Sequence, residues 1–220
     1  MKKSILKLLS PILQRFAKYY FAKPRPYSYK GIKGVVLPGV FYPYFTLSTK
    51  LLLQFIEHKD LKGKSFLELG CGTGFISVLA ALKGAGVSAS DINPAAIENV
   101  KLNAEKNAVQ VKAILSDLFT EIPMQTFDYI IINPPYYPKE PKNKAEKAWF
   151  CGVNFEYFEK LFSTIAPYFK DNSTVCLILS EDCELAHIES IAKKNQFQMK
   201  VIEKQRRAGE WNFIFCLQSI

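Results

Sequence analysis

The residues with the most specific chemistry in this chain follow an apolar run. Asn133, Pro134, Pro135 and Tyr136 come directly after residues 129–132. Two prolines at the exit of a buried strand make a rigid, extended turn that lacks two backbone N–H donors. A side-chain amide held there beside an aromatic ring can grip a flat group that bears an N–H₂. The turn therefore predicts a site for a planar nitrogen acceptor.

A glycine-rich segment lies upstream, between a predicted strand and a predicted helix. Its glycines are Gly70, Gly72 and Gly74, and glycine there permits positive φ and close approach of a ligand to the backbone. Asp91 follows the next predicted strand, twenty-one residues after Gly70. A carboxylate at that place can accept both ribose hydroxyl hydrogens, so the pattern predicts a nucleoside cofactor.

The glycine spacing distinguishes two classes of cofactor. The spacing to Asp91 is close to that of the dinucleotide fingerprint G-x-G-x-x-G, but the third glycine position of that fingerprint is Phe75 here. Glu68, two residues before the first glycine, would repel a pyrophosphate and tolerate a zwitterionic amino acid and a sulfonium cation. The segment favours S-adenosylmethionine, and an NAD-dependent oxidoreductase stays a less favoured alternative.

From residue 65 onwards, short apolar runs alternate with segments of helical period. Strands are predicted at 65–69, 87–90, 109–115, 127–132 and 175–179, with two more near 197–204 and 212–218. Helices are predicted at 75–83, about 94–106, about 154–168 and about 184–195. This order predicts an α/β fold, a Rossmann-like doubly wound and mostly parallel seven-stranded sheet with an antiparallel C-terminal edge hairpin. In the helix over 94–106, Ile97, Val100, Leu102 and Ala104 are predicted to form the apolar face.

Polar features follow consecutive strands of this predicted sheet: the glycine loop, Asp91, Asp117 and Asn133. Ligands of open α/β sheets bind outside the carboxyl ends of the strands. Asp117 would suit the amino group of an adenine, with Leu118 or Phe119 against the ring face. A tight turn accounts for the glycines alone and a helix cap accounts for Asp91 alone, but the convergence predicts a site.

Together, these motifs resemble class I S-adenosylmethionine-dependent methyltransferases. They are most similar to the branch that methylates amino groups conjugated to a planar π system, and within it to the release-factor glutamine methyltransferases and their relatives. Residues 148–154 resemble the segment that opens that family's next helix, and residues 206–210 resemble the turn before its last strand. The resemblance covers about residues 40–220.

The resemblance implies a role for each residue of the turn. The side-chain oxygen of Asn133 and the carbonyl of Pro134 would accept the two hydrogens of the acceptor nitrogen, and Tyr136 would stack on the planar group. Such catalysis rests on alignment and electrostatics. The predicted cofactor-binding residues are Thr49, Glu68, Gly70, Gly72, Gly74, Asp91, Asp117, Leu118 and Asn133, where Thr49 matches a family residue bordering the methionine end.

Positive charge is concentrated in the N-terminal part of the chain. Residues 1–64 hold thirteen Lys or Arg and two acidic residues, a net +11, whereas residues 65–220 hold sixteen and eighteen, a net −2. Residues 1–40 are predicted as a basic arm with a helix over 10–21 and a hairpin over 27–37, and residues 41–220 as the methyltransferase domain. The arm suits RNA or a ribonucleoprotein, a membrane surface, or a solvated face packed on the domain. Lysines 139, 142, 144 and 147 are predicted to border the site.

Composition excludes several other classes. The five cysteines include no C-x-x-C pair, so we expect no metal site and no disulfide framework, and a reducing cytoplasm. No apolar run reaches the roughly 18 residues of a membrane span. His58 and His187 are expected as packing or surface residues in helices. The sequence predicts an N-methyltransferase that acts on a macromolecule, a protein glutamine or an RNA or DNA base. The alternative is an RNA-binding module that retains the fold without turnover.

Overall fold

The computed structural model describes residues 22–43, 47–143, 146–207 and 209–220. Its strands are β1 (Arg25–Tyr29), β2 (Ile32–Val36), β3 (Ser65–Leu69), β4 (Gly86–Asp91), β5 (Val111–Leu115), β6 (Tyr129–Ile132), β7 (Thr174–Ser180), β8 (Phe197–Arg207) and β9 (Glu210–Ser219). Its helices are α1 (Leu47–Glu57), α2 (Phe75–Leu82), α3 (Pro94–Lys106), α4 (Glu156–Thr164) and α5 (Leu185–Lys194), with 3₁₀ turns at Glu146–Ala148 and Ala166–Tyr168.

The main sheet has seven strands in the order β5-β4-β3-β6-β7-β9-β8. The first five are parallel, β9 runs antiparallel to β7, and β8 runs antiparallel to β9 at the edge. Successive strands are added on one side of β3 from β3 to β5 and on its other side from β6 onwards. Open α/β sheets bind ligands beside such a reversal of strand order. The predicted doubly wound sheet with an antiparallel C-terminal edge hairpin is confirmed.

Helices cover both faces of this sheet. On one face, α4 and α5 bury side chains such as Phe158 and Ile188 against β6 and β7. On the other face, α1 and α2 bury Leu53 and Val78 against the same sheet. The central strand β6 is apolar on both faces, as expected of a strand covered from both sides. No helix within the described ranges is long and apolar enough to cross a membrane.

Several element boundaries and faces differ from the sequence prediction. The helix expected over 154–168 is α4 followed by a 3₁₀ turn, because Pro167 interrupts the helical pattern. His58 lies one residue beyond the end of α1, whereas His187 lies in α5 with its ring centroid 4.6 Å from that of Phe155. Leu102 is 39% exposed and does not belong to the apolar face of α3.

The predicted N-terminal hairpin is present as β1 and β2. The two strands pair antiparallel from Arg25 opposite Val36 to Tyr29 opposite Ile32. Gly31, with φ 90°, occupies the turn, a conformation that favours glycine. The helix predicted over 10–21 lies outside the described residues, and the division of the chain at residue 40 stays a prediction.

Candidate cofactor and acceptor site

Two cavities that share lining residues open at the carboxyl ends of the parallel strands. The larger has a volume of ≈ 370 Å³ and the smaller ≈ 90 Å³. Gly70, Gly72, Asp91 and Asn133 line both. Parallel strands bring their carboxyl ends to one edge of the sheet, so residues far apart in sequence meet there.

The glycine loop after β3 forms the floor between the cavities. The backbone N–H groups of Gly70 and Cys71 donate to the Ser90 carbonyl at 2.8 and 2.9 Å, which ties the loop to β4. Gly70 has φ 75° and Gly72 has φ 50°. A Cβ atom at either position would meet no heavy atom within 4 Å. Because Gly70 and Gly72 have no side chain, a ligand in the cavities can approach their backbone closely.

Gly74 is placed differently from the other two glycines. It is the residue before α2, with φ 73°, and an added Cβ would overlap the side chain of Val100. Gly74 lines neither cavity. Close packing of α2 against α3 accounts for this glycine, and its predicted contact with the cofactor stays a prediction.

Asp91 orients the glycine loop from the end of β4. Its Oδ2 accepts from the Gly72 N–H at 2.9 Å and its Oδ1 from the Asn93 N–H at 2.9 Å. Burial raises the pKa of Asp91, although these N–H donors oppose the shift. The alternative role as cap of α3 falls to Asn93, whose side chain accepts from Ala95 N–H at 3.1 Å. Asp91 is thus a carboxylate that both holds the loop and faces the cavities.

Glu68 is a buried carboxyl group on the smaller cavity. It accepts hydrogen bonds from the backbone N–H of Ser77 at 2.8 Å and from the Ser77 hydroxyl. Burial raises its pKa to about 8, and the charge of Asp91 adds to the shift. Thr49 lines the same cavity and is buried. A cation bound at this end would favour the ionised form of Glu68, because an opposite charge nearby lowers the pKa of a carboxyl group.

At the mouth of the larger cavity, Asp117 forms an ion pair with Lys160, whose Nζ lies 2.7 Å from Oδ2. Leu118, with φ 54°, is buried against the same cavity. Tyr157 lines the same cavity, and burial raises its pKa, with the charges of Asp91 and Asp117 adding to the shift. Sequence reasoning missed Tyr157 and Lys160, although their spacing on α4 puts them on one helix face.

The Asn-Pro-Pro-Tyr turn follows β6 as predicted. Asn133 lines both cavities, Pro134 is buried beside the smaller one, and Tyr136 lines the smaller one. Burial raises the pKa of Tyr136, whose ring centroid lies 4.7 Å from that of Tyr137. The side-chain amide of Asn133 has no hydrogen-bond partner among the residues that the structure describes. That amide is therefore available to a ligand.

Two segments that the sequence did not assign to the site form a roof. Gly39, Val40 and Phe41 follow the hairpin and line the larger cavity. The ring of Phe41 lies edge-on to Trp149, with centroids 4.8 Å apart, and both rings line the smaller cavity. Of the lysines predicted to border the site, Lys147 lines the larger cavity, whereas Lys144 lies outside the described residues.

These observations fit S-adenosylmethionine better than a dinucleotide. The smaller cavity is lined by two carboxyl groups, Glu68 and Asp91, and within the described ranges by no Lys or Arg. Such walls suit a sulfonium cation and disfavour a pyrophosphate. The hydroxyl of Ser90 is buried without a partner in the described part of the chain and belongs to a residue of the larger cavity. Fold and site define a class I S-adenosylmethionine-dependent methyltransferase.

Comparison with known proteins agrees with this class. The family model described as the methyltransferase small domain matches residues 32–150. The chain belongs to this family. The match spans the hairpin strand β2, and it contains both the glycine loop and the Asn-Pro-Pro-Tyr turn.

Individual relatives differ in the acceptor that their names give. A putative protein N5-glutamine methyltransferase of Methanocaldococcus jannaschii is 40% identical over 118 residues, which cover 53% of this chain and 57% of the relative. Ribosomal RNA small subunit methyltransferase C of Haemophilus influenzae is 38% identical over 104 residues, 46% of this chain and 31% of the relative. The chain thus spans about half or less of the length of these relatives.

A solved structure supports the fold. The 16S rRNA N2 G1207 methyltransferase of T. thermophilus, in complex with AdoMet and guanosine, matches with a TM-score of 0.63 at 19% identity. The match covers 89% of this chain and 50% of that one. The predicted family and its cofactor, S-adenosylmethionine, are confirmed, whereas the role of each site residue stays a prediction.

Proposed function

We propose that this protein methylates a planar amide or exocyclic amino nitrogen, carried by a protein glutamine or a nucleic-acid base. The observation that carries the proposal is the position of Asn133. Its side-chain amide has no hydrogen-bond partner within the described ranges. It lines both cavities beside the open backbone of Gly70 and Gly72 and lies in the same turn as Tyr136. One ligand can therefore lie on the glycine floor while a second reaches Asn133.

Cofactor binding would use both cavities. Glu68 and Thr49 would hold the amino-acid and sulfonium end at the smaller cavity. Asp91 would accept from the ribose hydroxyls, and Asp117 and Leu118 would hold the adenine. When bound, S-adenosylmethionine supplies an electrophilic methyl group. This orientation is supported by the carboxyl groups of Glu68 and Asp91 on the smaller cavity, because a cation bound there would favour their ionised forms and be attracted by them.

The turn after β6 would activate the acceptor. An amide or exocyclic nitrogen is a weak nucleophile because its lone pair is delocalised into a carbonyl or ring. The Asn133 oxygen and the Pro134 carbonyl would accept its two hydrogens, which returns electron density to nitrogen and lets it pyramidalise. Tyr136 would stack on the planar group and fix its angle. The nitrogen would gain the methyl group, with S-adenosylhomocysteine as the leaving group, and would lose one proton to water. The chain then contributes alignment and fixed dipoles rather than a strong base.

The acceptor is a glutamine amide or a base amino group, and one experiment separates them. Cell extract that lacks the enzyme is incubated with the protein and methyl-tritiated S-adenosylmethionine, then divided into protein, RNA and DNA. Label in the protein fraction supports glutamine, and label in RNA or DNA supports a base. If wild-type protein labels none of the three fractions, a macromolecular acceptor is contradicted.

A further inference from the structure

Helix α3 buries asparagines on the side that faces the N-terminal hairpin. Asn99 and Asn103 are both 0% exposed, although the apolar face predicted for this helix did not include them. Burying an amide is unfavourable unless all its donors and acceptors find partners. The hydrogen-bond partners of Asn99 and Asn103 therefore indicate the structural role of these two residues.

Both amides hydrogen-bond the outer edge of β2. The Asn103 Oδ1 accepts from the Val35 N–H at 2.8 Å, and its Nδ2 donates to the Val35 carbonyl at 2.9 Å. Four residues earlier, the Asn99 Oδ1 accepts from the Leu37 N–H and its Nδ2 donates to the Val35 carbonyl, each at 2.8 Å. Side-chain amides thus satisfy the edge of β2 as a neighbouring strand would.

Asn103 makes one contact that its neighbour lacks. Its Nδ2 also donates to the carbonyl of Thr73 at 2.9 Å. Thr73 is buried between Gly72 and Gly74, in the glycine loop. A single amide therefore bonds β2 on one side and the cofactor floor on the other.

The segment that follows β2 is hydrogen-bonded to α3 and leads to the roof of the larger cavity. Asn99 holds Leu37, and the side chain of Asn93 donates to the Gly39 carbonyl at 2.9 Å. Gly39 and Phe41 then line the cavity. Floor and roof are consequently both attached to α3, the floor through Asn103 and the roof through Asn99 and Asn93.

We propose that Asn103 is a positioning residue for the cofactor. Its side chain fixes the glycine loop relative to β2 and so sets the spacing between the floor and the roof of the cavity. The inference rests on the proposed S-adenosylmethionine site. Without this amide, the Thr73 carbonyl and the Val35 N–H lose their partners, and the glycine loop is free to shift relative to the hairpin.

Calorimetric titration with S-adenosylhomocysteine tests the inference in a matched pair of variants. Asn103→Leu has a similar shape and removes the contacts to both β2 and Thr73. Asn107→Leu removes the equivalent hydrogen bonds to β2, where Asn107 accepts from the Lys33 N–H at 3.2 Å and donates to the Lys33 carbonyl at 2.8 Å. Asn107 also donates to the Asn103 carbonyl at 2.7 Å, but among the described residues its side chain makes no hydrogen bond to the glycine loop. We expect about tenfold weaker binding for Asn103→Leu, within the usual range of coupling between sites, and no more than about a twofold change for Asn107→Leu.

Equal affinities of the two variants would overturn the inference, because a merely structural amide would loosen the hairpin without changing the cofactor site. Hydrogen exchange of wild-type protein provides a second test that needs no variant. Coupling is reciprocal, so S-adenosylhomocysteine is expected to slow exchange at the Val35 and Leu37 amides more than at Lys33. Equal slowing at all three would also overturn it. If wild-type protein bound no S-adenosylhomocysteine, the proposed function would fail and the inference with it.

Discussion

At the scale of single residues, the site combines the amide of Asn133 with carboxyl groups that differ in burial and in hydrogen bonding. Asn133 faces both cavities without a partner among the described residues. Asp91 accepts hydrogen bonds from the backbone N–H groups of Gly72 and Asn93, whereas the buried Glu68 accepts from Ser77. We therefore predict that Asn133 meets the acceptor nitrogen, and that Asp91 and, once a cation is bound, Glu68 supply complementary charge.

The pH dependence of stability is predicted to report on Glu68. Its folded-state pKa of about 8 lies above the ordinary value of 4.5, so the folded protein binds the proton more tightly than the unfolded chain. The stabilising contribution is complete below the ordinary pKa and is lost as the pH rises through about 8. We expect the free energy of unfolding to fall by a few kcal/mol across that window, at about 1.4 kcal/mol per unit of pKa difference.

The measurement is urea unfolding of the ligand-free protein at several pH values between about 5 and 9, beside Glu68→Gln. The glutamine does not titrate, so the difference in unfolding free energy between the two proteins is expected to shrink toward higher pH. A difference that stays constant with pH would contradict the predicted shift of Glu68.

At the scale of elements, the sequence predicts what depends on periodicity and misses what depends on long-range contacts. Apolar runs identify the parallel strands. Because parallel strands joined by right-handed crossovers end at the same edge of the sheet, the sequence alone predicts that Asp91, Asp117 and Asn133 lie at one edge. The face of α3 could not be predicted in the same way. Leu102 matches an apolar stripe but is exposed, whereas Asn99 is buried because β2 supplies its partners.

The roof illustrates the same limit. Gly39 and Phe41 carry no motif, and they reach the cavity because α3 holds β2 from a position more than sixty residues away in sequence. Four-residue spacing of the asparagines was the available signal, but it becomes meaningful only when an open strand edge is known to lie opposite. The ion pair of Asp117 with Lys160 likewise depends on how α4 packs over the sheet.

Docking of the hairpin on α3 is predicted to depend on Gly34. A Cβ atom there would lie 2.6 Å from the Asn103 Oδ1 and 2.8 Å from the Phe75 Cζ. Asn103 is held by its hydrogen bonds and cannot move aside without breaking them. We expect Gly34→Ala to lower the free energy of unfolding by about 1 to 3 kcal/mol, as overpacking usually does.

Gly86→Ala is the matched control for Gly34→Ala. Gly86 also lies in a strand, but its added Cβ would approach no atom closer than the Lys64 carbonyl at 3.9 Å. This change is expected to be neutral or mildly stabilising, by up to about 1 kcal/mol. If thermal or urea unfolding shows the two variants to be equally stable, the close fit between β2 and α3 is contradicted.

At the scale of the whole molecule, the excess positive charge and most of the candidate site lie in different parts of the chain. The net +11 of residues 1–64 contrasts with the net −2 of residues 65–220, whereas the cavities are formed mainly by the later part. We propose that the basic residues before β1 bind an anionic acceptor, whereas the segment after β2 contributes Gly39 and Val40 to the larger cavity. This proposal favours a nucleic-acid acceptor over a protein glutamine.

Removal of residues 1–21 is predicted to separate these roles. That segment carries five Lys or Arg and no acidic residue. The truncated protein should bind S-adenosylhomocysteine within about twofold of the full chain and should bind RNA more weakly, with a shallower dependence on salt. Calorimetry and filter binding measure the two affinities. Weaker binding of S-adenosylhomocysteine after truncation would instead make the arm part of the cofactor site.

The central claim is that Asn133 activates the acceptor nitrogen, and the most direct measurement is methyl transfer by Asn133→Ala at saturating S-adenosylmethionine. Asn172→Ala, an exposed asparagine that lines neither cavity, is the control. We predict that Asn133→Ala binds S-adenosylhomocysteine within a fewfold of wild type and loses methyl transfer by about 100-fold or more, the scale on which a fixed hydrogen-bonding group contributes to catalysis. Transfer at the rate of wild type and of Asn172→Ala, with cofactor binding intact, would contradict the claim.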